Sequence, residues 1–397
     1  MAKILFINIP AYGHVNPTLA LVKELVNRGN KVVYYIGEAF MDVVEKMGAE
    51  VRSSGMPLFD GSATGEVMLN YLRQNYVFLE ELINGKEHFD CLIYDSAYFF
   101  GKEVGRVLNI KAISSQTTFA QDREMVKEVI KDQEERMYSI FAQMKESYEA
   151  QVLLKKYREL LNIDLTEAIY LITEKADLNI VYTSRLFQPN EENFIESFRF
   201  VGPSVTERRE DLDFELNSVG KKKLVYISLG TIYNRSLDFY IKCLEAFKDM
   251  DCEFVMSVGK NTDIQALGKI PDNFSVHNFV PQLEILRKAN AFITHGGMNS
   301  TSEGLYFGLP LLVIPQSVDQ PIVARQVEKL GAGIMLDKDS ITPSKLRHSL
   351  EKILNDESYK QNAMLIRESF INAGGYEKAA DEIVSLLEQG NKNLVTC

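Results

Sequence analysis

The stretch from Asn278 to Gln320 constrains the fold most, because two short apolar runs in it enclose a glycine-containing loop and a helical segment. The runs Ala291–Thr294 and Leu311–Ile314 are typical of buried strands. Between them, Asn299 is a suitable N-cap and Glu303 follows closely, so we expect a helix to begin there. A strand–helix–strand unit predicts an open parallel sheet, in which ligands bind where strands end and helices begin.

The loop before this helix is suited to a phosphate group. His295, Gly296 and Gly297 precede Met298 and Asn299. Glycine lets a ligand come close to the backbone, and the N–H groups at the start of a helix attract anions. The sequence therefore predicts an anion site at the start of this helix.

Many positions of the same stretch match a known signature in identity and spacing: Pro281, Gln282, His295, Gly297, Asn299, Ser300, Thr301, Glu303, Gly308, Pro310, Pro315, Asp319 and Gln320. They resemble the donor-binding box of the family 1, UDP-sugar-dependent glycosyltransferases. The chain contains no Trp, and it has Phe279 and Met298 where that family has Trp. Phenylalanine can still stack on a base, so the resemblance holds at position 279.

The resemblance implies an α/β protein with the GT-B fold, in which two Rossmann-like domains face each other across a cleft. A chain of 397 residues is long enough for two domains. We place an acceptor-binding domain at 1–205, a linker at 206–222 and a nucleotide-sugar-binding domain at 223–375. Residues 376–397 are expected to form a helix that returns to the N-terminal domain.

The chain begins with the apolar run Lys3–Ile9, a loop over residues 10–17, a helix expected at Thr18–Arg28 after Pro17, and a second run at Lys31–Ile36. This βαβ order predicts a Rossmann-like domain. The loop has a single glycine and therefore lacks the G-x-G-x-x-G fingerprint of NAD-binding proteins.

His14 in this loop is a candidate general base. A hydroxyl that attacks an anomeric carbon needs a base with a pKa near neutrality, and histidine comes closest to that. The glycosyltransferase family carries a similar Gly-His-x-x-Pro loop, matched by Gly13, His14 and Pro17, in which the histidine deprotonates the acceptor. The alternative is a loop histidine that only hydrogen-bonds the backbone.

Asp95 follows the apolar run Phe89–Tyr94, at the kind of strand end where catalytic residues often lie. The resemblance implies that this carboxylate hydrogen-bonds His14 and stabilises its imidazolium form. The alternative is an N-cap for the helix expected from about Phe99 to Leu108.

Methionine and aromatic side chains recur through the N-terminal domain, including the segment Asp122–Asn162, which we expect to be helical. They suit either interior packing or an adaptable pocket for flat, apolar acceptors, and both interpretations stay open. The residues expected to contact the acceptor or the sugar are Phe59, Tyr71, Thr117 and Phe119. Thr117 falls near a family position that contacts the sugar.

The resemblance also implies how the C-terminal domain binds the nucleotide sugar, with an aromatic ring on the uracil, a carboxylate on the ribose, and a helix start at the diphosphate. The candidate donor-binding residues are Ser228 and Thr231 near the pyrophosphate, Phe279 and Val280 at the uracil, His295, Asn299 and Ser300 at the diphosphate, Glu303 at the ribose, Asp319 and Gln320 at the sugar, and Gln282 and Gly297 as further residues of the signature. Glutamine at position 320 resembles the glucose-selective members. For Asp319 and Gln320, the alternative is a solvated loop.

The implied reaction is inverting transfer of glucose from UDP-glucose to a hydroxyl of a small hydrophobic acceptor, such as a phenolic, a flavonoid or a macrolide, giving a β-glucoside. We expect no cofactor and no metal. Metal-dependent glycosyltransferases use D-x-D motifs, but we interpret the three such triplets as solvated charge: Asp211/Asp213, Asp249/Asp251 and Asp337/Asp339. The alternatives are a UDP-sugar epimerase, a lipid-carrier glycosyltransferase and a non-catalytic sugar-nucleotide sensor.

Composition limits the partners. A net charge of -11 argues against nucleic acid and anionic membranes. No apolar run reaches the about 20 residues that span a bilayer, and the first residues lead into a strand without a signal peptide. The four cysteines have no metal or redox spacing. We therefore expect a cytoplasmic monomer or weak dimer without integral membrane association.

Overall fold

The computed structural model describes residues 1–58, 64–132, 147–163, 171–205, 222–230, 234, 236–316 and 319–395. The chain divides into two compact units. Unit 1 comprises Met1–Ser204 and Ala373–Cys397, and unit 2 comprises Val205–Asn372. The linker expected at 206–222 lies outside the described residues, apart from its last residue.

Unit 1 is built on a parallel sheet. The strands are β1 Lys3–Ile7, β2 Lys31–Ile36, β3 Glu50–Ser53, β4 Cys91–Asp95, β5 Lys111–Gln116, β6 Leu178–Val181 and β7 Phe198–Phe200. Their order across the sheet is β3-β2-β1-β4-β5-β6-β7. Because the order reverses between β1 and β4, the segments after these strands leave on opposite faces and open a crevice at their carboxyl ends.

The helices of the N-terminal part of unit 1 are α1 Tyr12–Asn27, α2 Met41–Glu45, α3 Gly65–Asn84, α4 Gly101–Leu108, α5 Arg123–Asp132 and α6 Tyr148–Leu161. Side chains of β1 alternate between two hydrophobic clusters. Leu5 and Ile7 pack with residues of α3, α4 and α6, whereas Ile4 and Phe6 pack with residues of α1. All four are fully buried, and each such side chain contributes about 1.5–3 kcal/mol. The helices that follow β1 and β4 are thereby held on opposite faces.

One sequence expectation for unit 1 was wrong. Helix α1 begins at Tyr12 rather than Thr18, and Pro17 lies inside it, so His14 belongs to the first helical turn and not to a loop. The 20-residue helix α3 lies in a region for which no helix was predicted. Thr64 caps α3 by accepting from the Val67 N–H at 3.2 Å, a signal that the sequence carries.

Unit 2 repeats the same architecture. Its strands are β8 Lys223–Ser228, β9 Cys252–Ser257, β10 Phe274–His277, β11 Ala291–Thr294, β12 Leu311–Val313 and β13 Gly333–Met335. They form a parallel sheet in the order β10-β9-β8-β11-β12-β13, with the reversal between β8 and β11. The helices are α7 Leu237–Phe247, α8 Gln282–Lys288, α9 Met298–Tyr306, α10 Gln320–Lys329, α11 Pro343–Asn355 and α12 Glu357–Asn372.

The start of α9 differs from the expectation that Asn299 would cap it. Gly297 is the N-cap residue, in extended conformation, and its carbonyl accepts from the Thr301 N–H at 2.9 Å. The N-cap therefore lies two residues earlier than expected, the helix begins at Met298, and Glu303 lies in its second turn. Asn299 is instead placed within the first turn.

The last helix, α13 Gly375–Val395, belongs to unit 1. Ala379, Ala380 and Ile383 are fully buried in the cluster that contains α1. At the rim, Arg28 Nη1 donates to an Asp381 carboxylate oxygen at 2.7 Å. Within the described ranges, none of the helices combines the length and the apolar character needed to cross a membrane.

Candidate active site

His14 and Asp95 meet at the carboxyl edge of the unit 1 sheet. Strand β1 leads into the first turn of α1, which carries His14, and the neighbouring strand β4 ends at Asp95. His14 Nδ1 lies 2.9 Å from Asp95 Oδ2. The Asp95 side chain is completely buried, whereas 24% of the His14 side chain is exposed. The structure thus contradicts the alternative that His14 bonds only to backbone.

The buried Asp95 carboxylate is satisfied by donors on both oxygens. Oδ1 accepts from the Ala97 N–H at 2.8 Å, and Oδ2 accepts from the Thr117 hydroxyl at 3.1 Å. Helix α4 begins only at Gly101, after Phe100, so Asp95 does not cap it. These hydrogen bonds allow the carboxylate to be buried, since a buried charge is tolerated when it is paired and hydrogen-bonded.

This pairing fixes the tautomer of a neutral His14. An ionised carboxylate only accepts, so its partner Nδ1 carries the hydrogen, and the lone pair of the ring lies on Nε2. Nε2 is consequently the atom that can take up a proton. The remaining carboxylate charge stabilises the imidazolium that would result.

The four expected acceptor contacts have different environments. Phe59 lies outside the described residues. Phe119 is 3% exposed and its ring centroid is 5.4 Å from that of Phe187, so the two rings pack together in the interior. Tyr71 is half-buried, and burial, with a smaller contribution from the Asp95 charge, raises its pKa.

Thr117 contacts both His14 and Asp95. The residue is 3% exposed, and its hydroxyl oxygen lies 3.1 Å from Asp95 Oδ2 and 3.1 Å from His14 Nδ1. It is therefore a member of the hydrogen-bonded group at the strand ends. The sequence carried no local signal for this role.

In unit 2, His295 follows β11 beside the turn that follows β8. A Cβ atom added to Gly230 would stand 2.5 Å from the His295 ring, and one added to Gly297 would also clash with it. Gly230 has a φ of +75°, a conformation that L side chains rarely adopt. Burial lowers the pKa of His295 to about 4, so the ring is a neutral N–H donor near pH 7.

Asn299 and Ser300 are half-buried in the first turn of α9, directly after His295 and Gly297. The N–H groups of that turn and the helix dipole favour an anion there. The Ser228 Oγ accepts from the Gly230 N–H at 3.3 Å and so shapes the turn that follows β8. Thr231 lies outside the described residues.

Glu303 is positioned by Gln282. The Gln282 amide donates to Glu303 Oε2 at 2.6 Å, and the Tyr226 hydroxyl donates to Gln282 Oε1 at 3.3 Å. Glu303 is only 4% exposed. Gln282 thus orients the carboxylate, a coupling between α8 and α9 that the spacing of the signature did not reveal.

The remaining donor candidates divide into exposed and buried groups. Phe279 is 44% exposed, as a ring must be to stack on a base, whereas the Val280 side chain is buried. Gln320 is 5% exposed and its Oε1 accepts from the Gln316 N–H at 2.7 Å, which contradicts a solvated loop at this residue. Asp319 is the N-cap residue of α10.

The D-x-D triplets have ordinary surface roles where they are described. Asp251 is 89% exposed and pairs with Lys222 at 3.0 Å. Asp337 accepts from the Asp339 N–H at 3.1 Å. The triplet at 211–213 lies outside the described residues. Across the described part of the chain, no group of three or more His, Cys, Asp or Glu side chains is arranged to hold a metal ion.

Comparison with known proteins places this geometry in a family. Residues 241–387 match the family model "Erythromycin biosynthesis protein CIII-like, C-terminal domain". The Bacillus subtilis (strain 168) protein named "Uncharacterized UDP-glucosyltransferase YojK" is 38% identical, over 98% of this chain and 98% of its own. The chain belongs to this glycosyltransferase family. Its reaction class is therefore glycosyl transfer from a nucleotide sugar.

Further relatives of this glycosyltransferase span nearly the whole chain. The NDP-glycosyltransferase YjiC of Bacillus licheniformis is 36% identical over 97% of both chains. The oleandomycin glycosyltransferase of Streptomyces antibioticus is 27% identical over 96% of this chain and 90% of its own.

Solved structures show the same fold. The calicheamicin glycosyltransferase CalG4 has a TM-score of 0.81 and 26% identity, and covers 98% of both chains. The glycosyltransferase of kitacinnamycin has a TM-score of 0.80 and 28% identity, over 96% of this chain and 98% of its own. The glycosyltransferase described here therefore has the GT-B fold, with two Rossmann-like parallel-sheet domains.

Proposed function

We propose that this enzyme transfers glucose from UDP-glucose to a hydroxyl of a small hydrophobic acceptor, with His14 as the general base. The observation that carries the proposal is the 2.9 Å contact between His14 Nδ1 and the buried Asp95 carboxylate at the reversal point of the sheet. A non-catalytic sensor would have no use for this pair. Positioned general bases contribute about 10²–10⁴-fold to a rate.

In the proposed reaction, His14 Nε2 takes the proton of the acceptor hydroxyl as that oxygen attacks the anomeric carbon. Asp95 stabilises the imidazolium through the Nδ1–H, and a hydrogen bond to a charged group contributes about 1.5–3 kcal/mol. The acceptor oxygen forms a bond to C1 while the bond from C1 to the UDP oxygen breaks on the opposite face. An α-linked donor then gives a β-glucoside.

The donor-binding residues belong to unit 2. Phe279 would stack on the uracil, Glu303 would accept hydrogen bonds from the ribose, and His295 with the first turn of α9 would donate to the diphosphate. The hydrogen bonds from His295 and from the first turn of α9 would strengthen most as negative charge develops on the leaving UDP. We expect turnover without a metal ion, because these groups carry that charge. Asp319 and Gln320 would contact the sugar hydroxyls.

A hydrophobic acceptor is supported by exposed apolar side chains at the carboxyl edge of unit 1. Tyr12, two residues before His14, is 51% exposed, Leu58 after β3 is 49% exposed, and Val67 in the first turn of α3 is 42% exposed. The names of the relatives, which include an oleandomycin and a calicheamicin glycosyltransferase, support the same acceptor class.

The test is an assay of UDP release from UDP-glucose with a panel of phenolic, flavonoid and macrolide acceptors in the presence of EDTA. We expect release that depends on an acceptor, resists EDTA and is lost in His14→Ala. The anomeric configuration of the product is then read by NMR and should be β. No release with any acceptor, or an α-linked product, would contradict the proposal.

A further inference from the structure

We infer that Thr117 is a positioning residue of the His14–Asp95 pair, and that its hydroxyl completes a ring of three hydrogen-bonded side chains. This inference rests on the proposed role of His14 as the base. It replaces the expectation that Thr117 contacts the transferred sugar.

The ring follows from the order of the strands. Strand β4 lies between β1 and β5, and Asp95 at the end of β4 is level with Ser115 of β5. The residues just beyond these three strand ends are therefore neighbours, although they are far apart in the sequence. The Thr117 oxygen lies 3.1 Å from both His14 Nδ1 and Asp95 Oδ2, and those two atoms are 2.9 Å apart.

The available protons allow one consistent arrangement of this ring. An ionised Asp95 has no proton, so His14 Nδ1–H and the Thr117 O–H both point to Oδ2. Thr117 cannot donate to a nitrogen that already carries hydrogen, so its oxygen presents a lone pair to the Nδ1–H. The Nδ1–H is thus shared between a carboxylate and a hydroxyl oxygen, and the ring stays complete only while the proton remains on Nδ1.

The consequence is control of the tautomer and of the plane of the imidazole. A proton on Nε2 would leave the Nδ1 lone pair facing the carboxylate and would break the ring. Thr117 therefore favours the state in which Nε2 can accept a proton. Because Thr117 is 3% exposed and its hydroxyl bonds both His14 and Asp95, a sugar hydroxyl would have to displace one of these two partners.

The test compares Thr117→Val, which keeps the shape and removes the hydroxyl, with Thr117→Ser, which keeps the hydroxyl. We expect Val to lower kcat about tenfold, which corresponds to about 1.4 kcal/mol, with an unchanged KM for UDP-glucose. We expect Ser to recover kcat to within about threefold. Thr118→Val is a matched control, because among the described residues the Thr118 hydroxyl donates to the neighbouring Phe119 carbonyl at 3.3 Å and to no group of the His14–Asp95 pair.

A second readout does not depend on turnover. The shared Nδ1–H should give a low-field proton NMR signal in the wild type that is absent in His14→Ala, displaced in Thr117→Val and restored in Thr117→Ser. Thr117→Ala serves as the hydroxyl-free variant if Val does not fold, as checked by circular dichroism. Full activity in His14→Ala would refute the base assignment, and the NMR signal would still decide the role of Thr117.

Two results would overturn the inference. One is Thr117→Val with a wild-type kcat and an undisplaced NMR signal, which would leave Thr117 a packing residue. The other is an increase in the KM for UDP-glucose with kcat intact, which would return Thr117 to the sugar.

Discussion

Replacement of Asp95 by asparagine removes one charge and leaves the shape of the side chain. The native carboxylate accepts from three donors, namely Ala97 N–H, the Thr117 hydroxyl and His14 Nδ1–H. Asparagine offers one oxygen and one NH₂ group to the same set. In either orientation of the asparagine amide, its NH₂ group therefore faces a group that donates a hydrogen bond to the native carboxylate.

The two orientations damage the site in different ways. With the NH₂ at the Oδ1 position, it faces the Ala97 N–H, and an unsatisfied buried donor costs about 1–3 kcal/mol. With the NH₂ at the Oδ2 position, it faces His14 Nδ1, which then becomes the acceptor while the proton moves to Nε2. The atom that should take the acceptor's proton is then already protonated, as follows for any histidine base held in the wrong tautomer.

Either orientation also removes the charge that stabilises the imidazolium. A hydrogen bond to a charged group contributes up to about 3 kcal/mol, which corresponds to a rate loss of roughly 100-fold. We therefore expect Asp95→Asn to lower kcat by at least about 100-fold. The KM for UDP-glucose should stay near the wild-type value, because Asp95 belongs to unit 1 and the donor candidates belong to unit 2.

The assay is the initial rate of UDP release at saturating acceptor, with the concentration of UDP-glucose varied. Asp90→Asn is the matched control, since Asp90 precedes the opposite end of β4 and its exposed carboxylate accepts from the Lys3 N–H at 2.6 Å. This control should keep the wild-type kcat. A folded Asp95→Asn variant with a rate within threefold of the wild type would refute the reasoning.

Two further predictions concern unit 2. Glu303→Gln should raise the KM for UDP-glucose. In a double-mutant cycle with Gln282→Ala, the changes in KM should be non-additive, because Gln282 donates to Glu303 at 2.6 Å. Additive changes would contradict this coupling. Burial lowers the pKa of His295 to about 4, below the ordinary value of about 6.5. The unfolded chain therefore binds this proton more readily, so the stability due to neutral His295 is present above about pH 6.5 and is lost as the pH falls towards 4. Between pH 7 and pH 5 the free energy of unfolding should fall by about 2 kcal/mol because of His295. Urea unfolding of His295→Gln should therefore show a correspondingly weaker dependence of stability on pH. An equal dependence in both proteins would argue against the buried neutral ring.

Part of each sheet and the contact between His14 and Asp95 could be predicted before the structure was known. Apolar runs located strands β1, β2, β4, β11 and β12. The pairing of Asp95 with His14 was implied by the resemblance to the glycosyltransferase family. The register of the sheet explains why His14 and Asp95 lie close together, because β1 and β4 are adjacent parallel strands. Strand ends on one sheet edge bring such residues together whatever their separation in the sequence.

The first residue of a helix was harder to predict from the sequence. Pro17 favoured a helix beginning at Thr18, but the extended Ala11 already begins α1 and places Pro17 within it. Asn299 favoured an N-cap that the backbone of Gly297 provides instead. The residue at which a helix begins depends on where the preceding strand leaves the sheet, and local capping preference is weaker than that constraint.

The roles of Thr117 and Gln282 depend on contacts between elements, and no local pattern encodes them. Thr117 acquires its partners only because β1, β4 and β5 are neighbours, and Gln282 reaches Glu303 only because α8 and α9 lie side by side. The burial of His295 likewise depends on glycine in the turn after the adjacent strand β8. Residue type indicated a site in each case, and the fold determined what the residue does there.

The most direct test of the central claim separates binding from turnover in His14→Ala. Calorimetry would measure its affinity for UDP, and the UDP-release assay would measure its rate with the best acceptor. We predict a Kd within twofold of the wild type together with a rate reduced by at least about 100-fold, as expected for loss of a general base. Loss of UDP binding in parallel with activity, or a retained rate, would contradict the role of His14 as the base.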